Sequence, residues 1–199
     1  NYYLIKLNDE ILSNLDGFPN RYISRWYYHR DLIININKNT ELTFSESVIA
    51  TGENRNIDFY YLTPFGLFLA EQYHNTRRQD GGTESNLNND NSIIGLSINH
   101  MLNQNINIYF SFIIDDIQID KEDREIYQDA FGYSIGLIFT KNKFNFKILY
   151  NYSSPWLYLN NGTFTNYQNN DFAMGLRYPH HHNLETHINF KSDSYIISS

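Results

Sequence analysis

The chain contains no Cys, so no disulfide framework can hold it together. Pro is rare, with 4 in 199 residues. Charge is sparse as well: 19% of residues are charged, and the excess is acidic, net -7. That balance disfavours a basic surface for nucleic acid. No stretch approaches the roughly 18 to 20 apolar residues of a membrane helix. No P-loop, dinucleotide fingerprint or nucleophile triad appears. The expectation is a protein with no cofactor and no nucleic-acid partner. Asn1 is not preceded by Met, a basic n-region or an apolar h-region, so a signal peptide is expected to be absent or removed.

What is abundant is aromatic: 17 Tyr, 14 Phe and 2 Trp. Disordered chains lack so many rings and β-branched residues. Yet mean hydropathy is only -0.52. The 28 Asn and 24 Ile, with Lys and Tyr, are residues of AT-rich codons, so the Asn content is read as nucleotide bias and not as a prion-like tract. A β protein with one polar and one aromatic face accounts for both properties.

Period-2 alternation recurs along the chain, and no helical period exceeds about two turns. In Arg21–Asn37, Tyr22, Ser24, Trp26, Tyr28, Arg30, Leu32, Ile34 and Ile36 share one parity, against Arg25, His29, Asp31 and Asn35. Glu41–Ala50 follows, and its alternation breaks near Glu46, as a bulge would make it. Further strands are predicted over 94–99, 106–115, 133–139, 144–153, 172–178 and 184–190. That makes eight, with Asn1–Leu7 a ninth. Short polar turns are expected at Asn37–Thr40, Leu102–Asn105, Lys141–Lys143 and Pro179–Asn183. Long connections lie at Thr51–Asn91, Gln118–Ala130 and Ser154–Asn170.

Short turns on one side and long loops on the other are the pattern of an antiparallel up-and-down transmembrane β-barrel. Strands of about 9 to 11 residues cross a bilayer at a tilt. Trp26, Tyr28, Tyr150, Tyr152 and Tyr178 would supply interfacial girdles. Small residues and charges on the polar face suit a wet lumen, and rings on the apolar face suit lipid. A soluble barrel or sandwich alternates in the same way with its apolar face inward, and a closed eight-strand barrel remains open. Counting these strands sends Leu184–Phe190 opposite in direction to Arg21–Asn37, which leaves the chain end on the long-loop side. The expectation is one β-barrel domain over residues 1–199, part of a larger barrel with strands missing at one or both ends.

Five blocks then carry a resemblance. Trp26-Tyr27-Tyr28-His29-Arg30 precedes Leu42-Thr43-Phe44-Ser45-Glu46-Ser47-Val48-Ile49. Tyr60-Tyr61-Leu62-Thr63-Pro64-Phe65 is followed by Ala70-Glu71-Gln72. Asp90-Asn91-Ser92-Ile93-Ile94-Gly95 and Ile113-Ile114-Asp115-Asp116-Ile117-Gln118-Ile119-Asp120 complete the order. In order and spacing these resemble the Wzi-type capsule assembly proteins. Ser154-Pro155-Trp156-Leu157-Tyr158 and Thr165-Asn166-Tyr167 are similar to that family's later loop. Ala50-Thr51-Gly52 stands where the family has a Gly-rich step, and the family's N-terminal part has no counterpart here. The resemblance implies a bacterial outer-membrane barrel that anchors capsular or surface polysaccharide in a lectin-like, non-catalytic way. A porin-like passive channel, with Arg25, Lys147 and Arg177 in its lumen, and a soluble β-barrel binding module are the alternatives.

Candidate glycan contacts are Tyr60, Tyr61, Glu71, Gln72, Trp156, Tyr158 and Tyr167, since rings stack on sugars while amides bond hydroxyls. Girdle or loop packing explains the rings at 156, 158 and 167 equally well, and folding of the long loop back into the lumen explains Tyr60, Tyr61, Glu71 and Gln72. Arg30, Glu46, Asp115 and Asp116 are candidates for a lumenal charge network. Adjacent strand residues face opposite ways, so Asp115 and Asp116 are not a catalytic pair. A mid-depth charge facing lipid is costly, which places Asp116 near the rim or at a bulge. Pro179-His180-His181-His182 with His187 is read as a solvated turn, because consecutive His diverge and a metal needs convergent ligands.

Overall fold

In the computed structural model, residues 1–12, 21–64, 66–70, 90–116, 129–155, 157–158, 168–169, 172–173, 181–191 and 196–198 are described. The strands are β1 (Tyr2–Lys6), β2 (Glu10–Leu12), β3 (Arg21–Asn37), β4 (Thr40–Glu53), β5 (Asp90–Asn103) and β6 (Ile106–Asp116). They continue as β7 (Ala130–Lys141), β8 (Phe144–Ser153), β9 (Gln168–Asn169), β10 (Phe172–Ala173), β11 (His181–Lys191) and β12 (Ile196–Ser198). A 3-10 helix, Phe59–Leu62, lies in the β4–β5 connection. Nine strands form one antiparallel sheet in the order β1-β3-β4-β5-β6-β7-β8-β11-β12, and β2 pairs with β3 beside β1. Among the described residues β1 and β12 end this order and do not pair, so the sheet does not close.

Three expectations change. First, of the strand foreseen over 172–178 the described residues are Phe172–Ala173, which pair with Gln168–Asn169 in a separate two-stranded sheet, and 174–180 lies outside the described residues. Second, β8 therefore neighbours β11 directly, from His181↔Ser153 to Phe190↔Phe144. Counting one strand too many had reversed the direction of Leu184–Phe190. Third, His181, His182 and Asn183 belong to β11 and not to a turn. His182 Nδ1 and the Tyr150 hydroxyl are 2.6 Å apart across the pair, a local bond that suits a ladder. Glycine-free alternation explains why β3 and β8 have the foreseen limits.

The short turns are built by Asn. Asn37 Oδ1 accepts from Asn39 N at 2.8 Å, and Asn103 Oδ1 accepts from Asn105 N at 2.9 Å and Ile106 N at 3.0 Å. Asn142 takes φ 52, the left-handed conformation that two-residue hairpin turns require and Asn tolerates. Asn at these turns thus has a backbone role beyond codon bias.

The chain divides into two compact units. Unit 1 comprises Asn1–Asp31, Ser45–Ile94 and Tyr158–Arg177. Its core joins Tyr28, Val48, Ala50, Tyr61 and Phe68, with Trp26, Tyr60 and Leu62 packed against them. Tyr28, foreseen at a girdle, is fully buried here, because the β4–β5 connection returns over it.

Unit 2 comprises Leu32–Phe44, Gly95–Leu157 and Tyr178–Ser199. Directly paired residues share a face of the sheet. One face of β6-β7-β8-β11 carries the rows Ile106–Phe139–Phe146–Ile188, Ile108–Leu137–Ile148–Thr186, Phe110–Ile135–Tyr150–Leu184 and Phe112–Tyr133–Tyr152–His182. Only Thr186 and His182 interrupt its apolar character. The opposite face carries Asn107–Ile138–Lys147–His187, Tyr109–Gly136–Leu149–Glu185, Ser111–Ser134–Asn151–Asn183 and Ile113–Gly132–Ser153–His181. Burial is the reverse of a soluble sandwich. No residue of the apolar rows is buried, and Leu184 is 64% exposed. The buried residues, Gly132, Asn151 and Ser153, all sit on the polar face.

Glycine is required on that polar face. A Cβ at Gly136 would lie 2.8 Å from Leu149 Cδ1 and 3.1 Å from the Ile148 carbonyl oxygen. Gly136→Val should therefore lower stability by about 1–3 kcal/mol, the usual cost of overpacking. A urea midpoint equal to that of the parent chain would contradict this packing.

Candidate functional site

The site is assembled in unit 1, where the β4–β5 connection folds back on the ends of β3, β4 and β5. Asp58 caps the 3-10 helix, its Oδ1 accepting from Tyr60 N at 3.0 Å. The cap also fixes the loop to the sheet: Asp58 N donates to the Tyr28 hydroxyl at 2.8 Å. Arg55 then reaches into the core. Its Nη1 donates to Asp90 Oδ1 and to the Thr51 carbonyl at 2.9 Å, and its Nη2 donates to Asp90 Oδ2 at 3.1 Å. Asp58 Oδ2 lies 3.3 Å from the same nitrogen. The Tyr61 hydroxyl donates to Asp90 Oδ2 at 2.6 Å, and Trp26 Nε1 donates to the Arg55 carbonyl at 2.9 Å. Two carboxylates thus flank one guanidinium in a fork geometry that suits Arg and not Lys.

A second arginine holds the far side of the loop. Arg30 Nε donates to Glu46 Oε2 at 2.8 Å, and Arg30 Nη2 meets the same oxygen and the Gly66 carbonyl. Its Nη1 donates to the Thr63 carbonyl at 3.0 Å, and its guanidinium lies 4.3 Å from the Phe68 ring centroid. Glu46 is 1% exposed, so its charge depends on this pairing. On the other face of β3, His29 lies between Ser47 Oγ at 2.8 Å and Asp31 Oδ1 at 2.9 Å. Tyr27 stacks on His29 at 6.1 Å.

Burial raises the pKa of Tyr61, and the Asp90 carboxylate raises it further. Burial by itself would lower the Arg55 pKa, but Asp90 outweighs it and the net shift is upward. Asp58, Asp90 and Glu46 each face an arginine, whereas Asp31 faces His29, whose other ring nitrogen meets Ser47 Oγ. The two arginines hold the loop to the strand ends through the Thr51, Thr63 and Gly66 carbonyls. Among the described residues no three His, Asp or Glu are placed to hold a metal ion.

The expected residues fare unequally. Arg30 and Glu46 are brought together. Asp115 lies in unit 2, half-buried on β6, and is the extra residue of a bulge between Ile114 and Asp116. The Asp116 side chain, Glu71, Gln72, Trp156 and Tyr167 lie outside the described residues. Tyr61 is corrected as a glycan contact: it is fully buried and its hydroxyl is bonded to Asp90. Tyr60 is partly buried, edge-on to Tyr61 at 5.9 Å, over Gly66, where any Cβ would lie 2.8 Å from its ring. Tyr158 is half-buried at φ 70. Sequence reading overlooked Arg55, Asp58 and Phe59. The first two carried a signal, a lone Arg and an Asp ahead of the Tyr-Tyr pair. Phe59 is 77% exposed, the most exposed large apolar side chain among the described residues.

Comparison with family models, curated proteins and solved structures gave no match.

Removing one partner of a buried ion pair leaves the other charge uncompensated, at about 3–5 kcal/mol. Asp90→Ala should lose about that much, and Arg55→Met with Asp90→Leu should lose less than the single change. Equal losses in a double-mutant cycle would contradict the coupling. The raised Tyr61 pKa has a pH signature. Stability linked to it is intact below the ordinary Tyr value of about 10 and is lost as pH rises above that value. Tyr61→Phe should flatten the alkaline limb of a stability–pH curve; an unchanged limb would contradict the assignment.

Proposed function

We propose that this chain is part of the wall of a bacterial outer-membrane β-barrel that anchors capsular or surface polysaccharide without catalysing a reaction. The observation that carries the membrane reading is the exposed apolar face of β6-β7-β8-β11 opposite a partly buried polar face. Water penalises that arrangement, whereas lipid favours it. The 10 to 12 residues of these strands suit a tilted crossing. The polysaccharide reading is supported by the resemblance to the Wzi-type proteins. Residues from its separate blocks meet in unit 1 through Arg30–Glu46 and Tyr61–Asp90. The clamped loop there presents Phe59 and the partly exposed Tyr60, rings of the kind that sugars stack on.

Lys147, Ser134 and Asn151 on the polar face favour a second reading, a passive solute channel. The two differ in behaviour. On the polysaccharide reading, loss of the protein releases surface polymer from the cell, and Phe59→Ala lowers polymer retention roughly threefold or more, as loss of one stacked ring would. Normal retention in cells lacking the protein would contradict it. Steady conductance in a planar bilayer would favour the channel.

A further inference from the structure

The short turns of unit 2 gather at one end of its strands. Met101 N donates to the Asn39 carbonyl at 2.8 Å, Thr140 N to the Asn105 carbonyl at 2.7 Å, and Lys191 N to the Lys143 carbonyl at 2.9 Å. This end is basic in a chain that is acidic overall. Of the 7 Lys in the sequence, Lys38, Lys141, Lys143 and Lys191 lie at or beside these turns, and Lys147 lies three pairs inward of the Lys141–Phe144 pair. The first four are exposed. Among the described residues Glu41 is the one acid at this end.

The basic end borders the apolar rows directly. Lys141 is opposite Phe144, Phe144 is opposite Phe190, and Lys191 follows Phe190. The row Ile106–Phe139–Phe146–Ile188 comes next. A lysine can lay its methylene stem along such rings while its ammonium reaches an interface. We propose that this end is a contact surface for anionic phospholipid headgroups, set where the apolar face leaves the hydrocarbon. The inference rests on the membrane reading above and adds a lipid partner to it. Charge complementarity and continuity with the apolar face select headgroups as the occupant. An anionic protein would match the charge and leave the adjoining rings without a partner.

The test refolds the full chain with vesicles of phosphatidylcholine, with and without phosphatidylglycerol, and measures the fraction that floats with lipid. Phosphatidylglycerol should increase partitioning, and added salt should shrink the gain. Combining Lys38→Gln, Lys141→Gln, Lys143→Gln and Lys191→Gln should remove it, by about fivefold per lysine near the surface. Lys6→Gln, in unit 1, should keep it. Equal partitioning with and without phosphatidylglycerol would overturn the proposal, as would a gain that survives loss of all four lysines. Failure of the parent chain to float with phosphatidylcholine alone would instead contradict the membrane reading beneath it.

Discussion

The constraint on which the rest depends is the two-sidedness of β6, β7, β8 and β11. Period-2 geometry puts Phe110, Ile135, Tyr150 and Leu184 on one side, and Ser111, Ser134, Asn151 and Asn183 on the other. The apolar side is the uncovered one. A one-residue slip of any strand would carry its apolar set to the polar side, so register and surroundings are specified together. Gly132 and Gly136 belong to the same constraint. They admit Leu157 and Leu149 close to the polar face, where a side chain would collide. On the proposed reading lipid supplies what water cannot, a solvent in which the exposed apolar face costs nothing.

Unit 1 solves a different problem. There the β4–β5 connection must stay folded over the strand ends while carrying polar backbone into a buried place. Arg55 satisfies the Thr51 carbonyl and Asp90 together, and Arg30 satisfies the Thr63 and Gly66 carbonyls and one oxygen of Glu46, Oε2. Each guanidinium links strand to loop with several donors from one rigid group. The buried charges fix a loop that leaves Phe59 exposed.

Much of the sheet was legible because alternation is local. β3 and β8 carry long runs of alternation without Gly or Pro, and their limits match the foreseen ones. The short turns announced themselves through Asn at 37, 103 and 142. The failures have physical causes. Three His in a row look like a polar turn, yet His182 pairs with Tyr152 in a ladder and meets the Tyr150 hydroxyl. Residues 172–178 alternate well enough for a strand, but alternation does not name a partner, and β8 takes β11 instead. Tyr28 and Tyr61 read as surface rings because parity alone cannot show that a loop returns to cover them. Arg30 and Glu46 were foreseen together, since their strands are joined by a short turn. Arg55 and Asp90 were not, because a connection of unpatterned sequence separates them.

The central claim is that the apolar rows face hydrocarbon. It is tested most directly by quenching of single tryptophans with phospholipid brominated along its acyl chains. With Trp26 and Trp156 replaced by Phe, Leu184→Trp and Glu185→Trp place one reporter on each side of β11. The account predicts strong quenching for Leu184→Trp and weak quenching for Glu185→Trp in refolded, vesicle-bound protein. Equal quenching at the two positions, or stronger quenching at 185, would contradict it.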